Sequence, residues 1–184
     1  MNRLEAKGID SIIHKRNLAF SLINRYNINV IKGTKEEINT LIALQNKEEN
    51  INFNYRGFAK RNNCVLIIEG EKYYITDGYN EFYIKNKNKY FTDEEFIDNV
   101  YTGMIASSIG ICNNKSEIVQ AILISTLSFY IAQKNSIGMI KKQLDNSNYE
   151  NNIKLINEYL LEEISKIDAK KIKEYGDIEY YFKR

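Results

Sequence analysis

Proline and tryptophan are absent from this 184-residue chain, and it has only nine glycines, two cysteines and one histidine. Each shortage excludes something. With His14 alone, no histidine-pair metal or phosphoesterase site can form, and Cys64 and Cys112 add too few ligands for a zinc centre. Both cysteines stand in apolar runs, the mark of buried free thiols in a reducing compartment. Neither G-x-G-x-x-G nor G-x-x-x-x-G-K-[ST] occurs, so the common phosphate-cradling loops are missing and no cofactor is expected. Long apolar runs are lacking too. The longest, Ile118 to Ala132, contains Gln120, Ser125, Thr126 and Ser128 and falls short of the ~20 residues that span a bilayer. The first apolar run is broken by Asp10 and followed by His14-Lys15-Arg16, which is not a secretory leader. A cytoplasmic protein with no membrane role is the expectation.

What is abundant is Ile, Lys, Asn and Tyr, together 87 of the 184 residues. All four are written with AT-rich codons, which points to an AT-biased genome: a low-GC bacterium, or a phage or mobile element living in one. The formal net charge is +2, far from the strongly basic balance of a dedicated duplex binder.

Periodicity gives an α+β fold in a single domain, 1–184: helices within 1–50, an antiparallel β-meander over about 51–91, a helical bundle over 92–175 and a closing strand at 178–183. Helices are expected over 9–26 and 34–46, the second opened by the capping box Thr34…Glu37. Ile51, Phe53 and Tyr55 alternate with polar residues and read as a strand. Further strands follow at 64–69, 72–76 and 81–85, with turns at Glu69-Gly70-Glu71 and Asp77-Gly78. Thr92 and Glu95 form a second capping box before a helix to about Ile109. Helices at 116–133, 137–144 and 149–166 complete the bundle.

Two surfaces stand out. Tyr73, Tyr74, Tyr79, Phe82 and Tyr83 lie among acids in the hairpins. Adjacent strand residues point to opposite faces, so one of Tyr73 and Tyr74 is expected outside the core, giving a Tyr-rich protein-binding face. Tyr55, Arg56, Phe58, Lys60 and Arg61 interleave aromatics with cations on the expected first strand. Two of only six arginines fall here, and such a strand could stack bases and track phosphates of single-stranded nucleic acid. The acids Asp93, Glu94, Glu95 and Asp98 suit a helix N-terminus, with a carboxylate metal enzyme as the alternative reading. Glu158, Glu162 and Glu163 read as a solvated helix face. No catalytic or metal-binding residue is assigned. The function expected from these features is a small non-enzymatic binding protein from a phage, mobile element or low-GC bacterium. It would engage a protein partner, plausibly a host-defence nucleoprotein complex in the manner of an anti-CRISPR inhibitor.

Overall fold

A computed structural model describes residues 2–7, 13–46, 53–86, 91, 94–143, 149–176 and 178–182. The fold is α+β. The strands are β1 (Asn2–Glu5), β2 (Ile28–Thr34), β3 (Val65–Glu69), β4 (Lys72–Thr76), β5 (Asn80–Lys85) and β6 (Ile178–Phe182). The helices are α1 (Ile13–Arg25), α2 (Lys35–Asn46), α3 (Tyr55–Arg61), α4 (Glu94–Ile109), α5 (Lys115–Gln143), α6 (Tyr149–Ser165) and α7 (Ala169–Tyr175). All six strands form one sheet in the order of the sequence, β1-β2-β3-β4-β5-β6.

The sheet is mixed, which corrects the antiparallel expectation. β1 pairs with β2 and β2 with β3 in parallel, while β3 and β4 are antiparallel. The cause is the connections: α1 joins β1 to β2, and α2 with α3 joins β2 to β3. Helical crossovers of this kind return the chain in the same direction, and a tight turn reverses it. In place of the expected strand, Tyr55 opens α3, Phe53 precedes the helix outside any regular element, and Ile51 lies outside the described residues. The Asn54 side chain accepts the Gly57 backbone N–H at 2.7 Å, and Phe58 and Ala59 are fully buried. One cap and one buried helical face outweigh a five-residue alternation.

By contact the chain divides into two compact units. The first comprises Met1–Tyr83, Cys112–Val119 and Glu179–Arg184; the second, Ile84–Ile111 and Gln120–Ile178. In the first, α1, α2 and α3 bury Ala19, Ile23, Ile38, Leu41, Ile42 and Phe58 against Ile31, Leu66 and Ile68 of the sheet. The expected capping box forms in full. The Glu37 N–H donates to Thr34 Oγ1 at 3.3 Å, and the Thr34 N–H donates to Glu37 Oε2 at 2.8 Å. Thr92 and Asp93, by contrast, lie outside the described residues.

The second unit is helical. Tyr101 stacks on Phe129 with centroids 5.0 Å apart, and its hydroxyl lies 2.8 Å from Thr126 Oγ1. The helices expected at 116–133 and 137–144 are one continuous α5. Gly138 is tolerated within it, and the buried Ser136 hydroxyl bonds back to the Ala132 carbonyl. Glu163 leaves the expected solvated face: it is buried and accepts hydrogen bonds from Asn135 and Lys166. Among the described residues no helix is long and apolar enough to cross a membrane.

Candidate functional site

β2 carries one lysine inside an otherwise apolar strand. Lys32 is 2% exposed, and its ammonium lies 3.1 Å from Glu69 Oε2 on β3 and 3.5 Å from Glu5 Oε1 on β1. Three adjacent parallel strands thus bring one cation and two carboxylates together near their carboxyl ends, where open α/β sheets bind ligands. A fully buried ammonium is costly unless paired, so the triad is a coherent unit. The neighbouring Gly33 permits a close approach: a Cβ there would meet the Ala6 Cβ and Glu37 Oε2, each at 3.0 Å. The backbones are tied at the same level by the Ala6 N–H, which donates to the Lys32 carbonyl at 2.7 Å.

Glu69 also lines a cleft of about 400 Å³ in the first unit. Its walls include Lys35 and Glu36 from the start of α2, Tyr55 of α3, Ile68 of β3, Gly70, Lys72 and Tyr74 of the β3–β4 hairpin, and Glu81 and Tyr83 of β5. The aromatic wall is tightly fixed. Tyr74 lies 5.8 Å from Tyr55 and 5.1 Å from Tyr83 between ring centroids, in tilted arrangements. Tyr55 donates its hydroxyl to Asn39 Oδ1 at 2.9 Å, and Tyr74 donates to Glu81 Oε1 at 2.7 Å. The other Glu81 oxygen is 3.4 Å from Arg56 Nη1. Burial, then the Glu81 carboxylate, push the Tyr74 phenol well above its ordinary pKa, so it stays a neutral donor. The cleft therefore offers flat apolar rings with lysines and carboxylates at the rim.

Of the residues expected in a protein-binding face, Tyr73 is fully buried and Tyr74 is 9% exposed, so neither lies outside the core. Tyr74 is packed between Tyr55 and Tyr83 in the cleft wall, and Tyr73 is shut off from solvent altogether. Tyr83 and Phe82 are half-buried, with Tyr83 in the cleft, and Tyr79 is exposed with Lys60 Nζ 5.0 Å from its ring centre. The expected basic-aromatic set does not share one surface. Tyr55 faces the cleft, Phe58 is fully buried, and Arg56 is engaged by Glu81 and by the Tyr79 carbonyl at 3.1 Å. Lys60 and Arg61 are exposed. His14 is exposed on α1, and Glu94 and Glu95 sit exposed in the first turn of α4. Among the described residues no group of three His, Cys, Asp or Glu could hold a metal ion.

The sequence reading passed over Glu5, Lys32, Lys35, Glu36, Glu69 and Lys72. One signal was available: Ile31-Lys32-Gly33-Thr34 places a lone cation and a glycine between an apolar strand and a helix cap.

The fold and cleft define a class: an α+β protein with a parallel β/α layer and a cleft beside its strand ends. A family model then fixes the membership. The chain belongs to the hydroxyethylthiazole kinase family, whose model matches residues 4–168. Among solved structures, it is similar to the hydroxyethylthiazole kinase protein from Pyrococcus horikoshii OT3. The TM-score is 0.73 and the identity 15%, covering 97% of this chain and 64% of that one. This chain therefore spans under two thirds of that relative's length. No curated protein sequence matches. Membership in a kinase family overturns the expectation of a non-enzymatic, anti-CRISPR-like binding protein from a phage or mobile element, and with it the expectation against an enzyme.

Proposed function

We propose that this chain serves phosphoryl transfer from a nucleoside triphosphate to the hydroxyl of a small heterocyclic alcohol of the hydroxyethylthiazole type, at the carboxyl ends of β1, β2 and β3. The observation that carries this reading is the Lys32–Glu5–Glu69 triad, which shares Glu69 with the aromatic-walled cleft. Phosphoryl transfer asks little covalent chemistry of a protein; it asks for positioning and for charge aimed at the phosphoryl oxygens. Lys35 and Lys72 are the rim cations suited to those oxygens. The rings of Tyr55, Tyr74 and Tyr83 give a planar ring its contact area.

Magnesium held largely by nucleotide phosphates needs only one or two protein carboxylates. Glu36, Glu69 and Glu81 line the cleft, so the donor set fits that requirement; the ion would neutralise charge on the phosphates. A cytoplasmic setting accords with the free thiols of Cys64 and Cys112.

Equilibrium dialysis of the full chain against labelled ATP and against hydroxyethylthiazole, each with magnesium, tests the site. Saturable binding that Lys72→Ala and Tyr74→Leu each weaken about tenfold is expected, the scale of one lost charge-assisted or aromatic contact. Binding indifferent to both substitutions would remove the cleft from the account.

A further inference from the structure

Glu81 belongs to the cleft wall, and both of its carboxylate oxygens are taken. Oε1 accepts the Tyr74 hydroxyl at 2.7 Å, and Oε2 lies 3.4 Å from Arg56 Nη1. The other terminal nitrogen of Arg56, Nη2, donates to the Tyr79 carbonyl at 3.1 Å. One planar fork thus spans a side chain of β5 and the backbone of the turn before it, which a single lysine ammonium does less well. Arg56 stands on α3 next to Tyr55, a wall residue, yet does not line the cleft itself. The contacts run from Arg56 through Glu81 to Tyr74, whose ring packs against those of Tyr55 and Tyr83. Tyr74 is almost wholly buried, so a hydroxyl deprived of its acceptor would be a poorly solvated donor and its ring would lose its anchor. The Arg56 and Glu81 side chains are 26% and 21% exposed, and partly solvated pairs of this kind add little to folding. What the Arg56 contact supplies is placement.

We propose that Arg56 is a positioning residue of the cleft: through Glu81 it holds the Tyr74 ring where the ring of the alcohol substrate packs. This rests on the cleft being the site for a heterocyclic alcohol and nucleotide phosphates, as proposed above. There the ring and the phosphates meet different groups, the tyrosine rings and the rim lysines Lys35 and Lys72. Loss of Arg56 therefore weakens the hold on the ring and spares the hold on the phosphates. Binding precision of this order depends on a wall residue being locked by the groups behind it.

Isothermal titration of the full chain with two probes separates these effects. Hydroxyethylthiazole has the ring and no phosphate; inorganic tripolyphosphate with magnesium has phosphates and no ring. At physiological salt, which screens a partly solvated charge, Arg56→Ala should weaken hydroxyethylthiazole roughly three- to tenfold and leave tripolyphosphate within about twofold. Arg56→Lys, which keeps the charge and one of the two contacts, should recover part of the loss. In a Tyr74→Phe background the link to Glu81 is already cut, so Arg56→Ala should cost nothing further. Circular dichroism should be unchanged throughout. Equal weakening of both probes, an undiminished loss in the Tyr74→Phe background, or an Arg56→Ala chain that no longer folds would overturn the proposal, since the contact would then be only structural. Hydroxyethylthiazole binding that Arg56→Ala leaves unchanged would overturn it too, and would leave the assignment of the cleft standing. A wild-type chain that binds neither probe would instead remove that assignment, and the proposal with it.

Discussion

The Lys32 ammonium sits 3.1 Å from a Glu69 carboxylate oxygen, joining neighbouring parallel strands inside the first unit. Glu5 completes the triad from the other side. Removing the cation takes away the buried charge that the two carboxylates share. Lys32→Met is expected to destabilise the protein by about 3 kcal/mol, the lower end for a broken buried pair because both carboxylates keep some solvent. Adding Glu5→Gln and Glu69→Gln to it should recover part of that loss. Urea titration of the single and triple variants measures both. A single-variant loss under about 1 kcal/mol would show that the triad is not a buried unit.

The two thiols should differ sharply in reactivity. Burial pushes Cys64 up to about 12, the nearby Lys115 offsetting little of it, so at pH 8 almost none is thiolate. Cys112 is also raised, by its partial burial and by Glu117, yet it is only half-buried. A disulfide reagent at pH 8 should titrate one thiol in the native protein and a second only on unfolding. Mass spectrometry should place the first on Cys112. Fast native labelling of Cys64 would contradict its place in the core.

Asp77 anchors the turn between β4 and β5. Burial opposes its ionisation. Hydrogen bonds from the Asn80 and Tyr79 backbone N–H groups, from the Asn80 side chain and the charge of Lys115 outweigh that, and hold its carboxyl below the ordinary aspartate value. A carboxyl depressed in the folded state adds stability that is complete above the unfolded value, about 3.9, and is lost as pH falls through the lower folded value. Asp77→Ala should therefore cost about 1–3 kcal/mol at pH 7, and the gap should narrow as pH drops below about 4. Thermal melts of both proteins across that range check it. A gap that widens at low pH would reverse the sign and defeat the argument.

Gly78, in the same turn, has φ +91° and lies close to α3: a Cβ would fall 2.7 Å from both the Lys60 Cα and N. The left-handed backbone and the contact with main-chain atoms act together, so Gly78→Ala should destabilise by about 2 kcal/mol or more. Gly70, where a Cβ would meet only the Lys72 carbonyl at 3.7 Å, should accept alanine at little cost. Denaturation midpoints of the two variants separate these cases.

What could be read from the sequence was whatever short-range chemistry decides. The Thr34…Glu37 box, the β3–β4 and β4–β5 turns and the amphipathic α6 each rest on residues within one or two turns of chain. α3 went the other way because the alternation of Ile51, Phe53 and Tyr55 fits a strand, and the cap at Asn54 decides for a helix. β1 was missed: four residues show no period, and its partner Val30 is 27 positions from Arg3. The site was illegible for the same reason. Lys32 stands 27 residues from Glu5 and 37 from Glu69, and only the parallel pairing brings them together.

The central claim is tested most directly by mass spectrometry of the products after incubating the full chain with magnesium, ATP and hydroxyethylthiazole. The account predicts a phosphorylated hydroxyethylthiazole whose rate of formation drops about tenfold or more in both Lys35→Ala and Lys72→Ala, as expected when a cation aimed at the phosphoryl oxygens is lost. No phosphorylated product from the folded chain, or a rate that neither substitution changes, would contradict it.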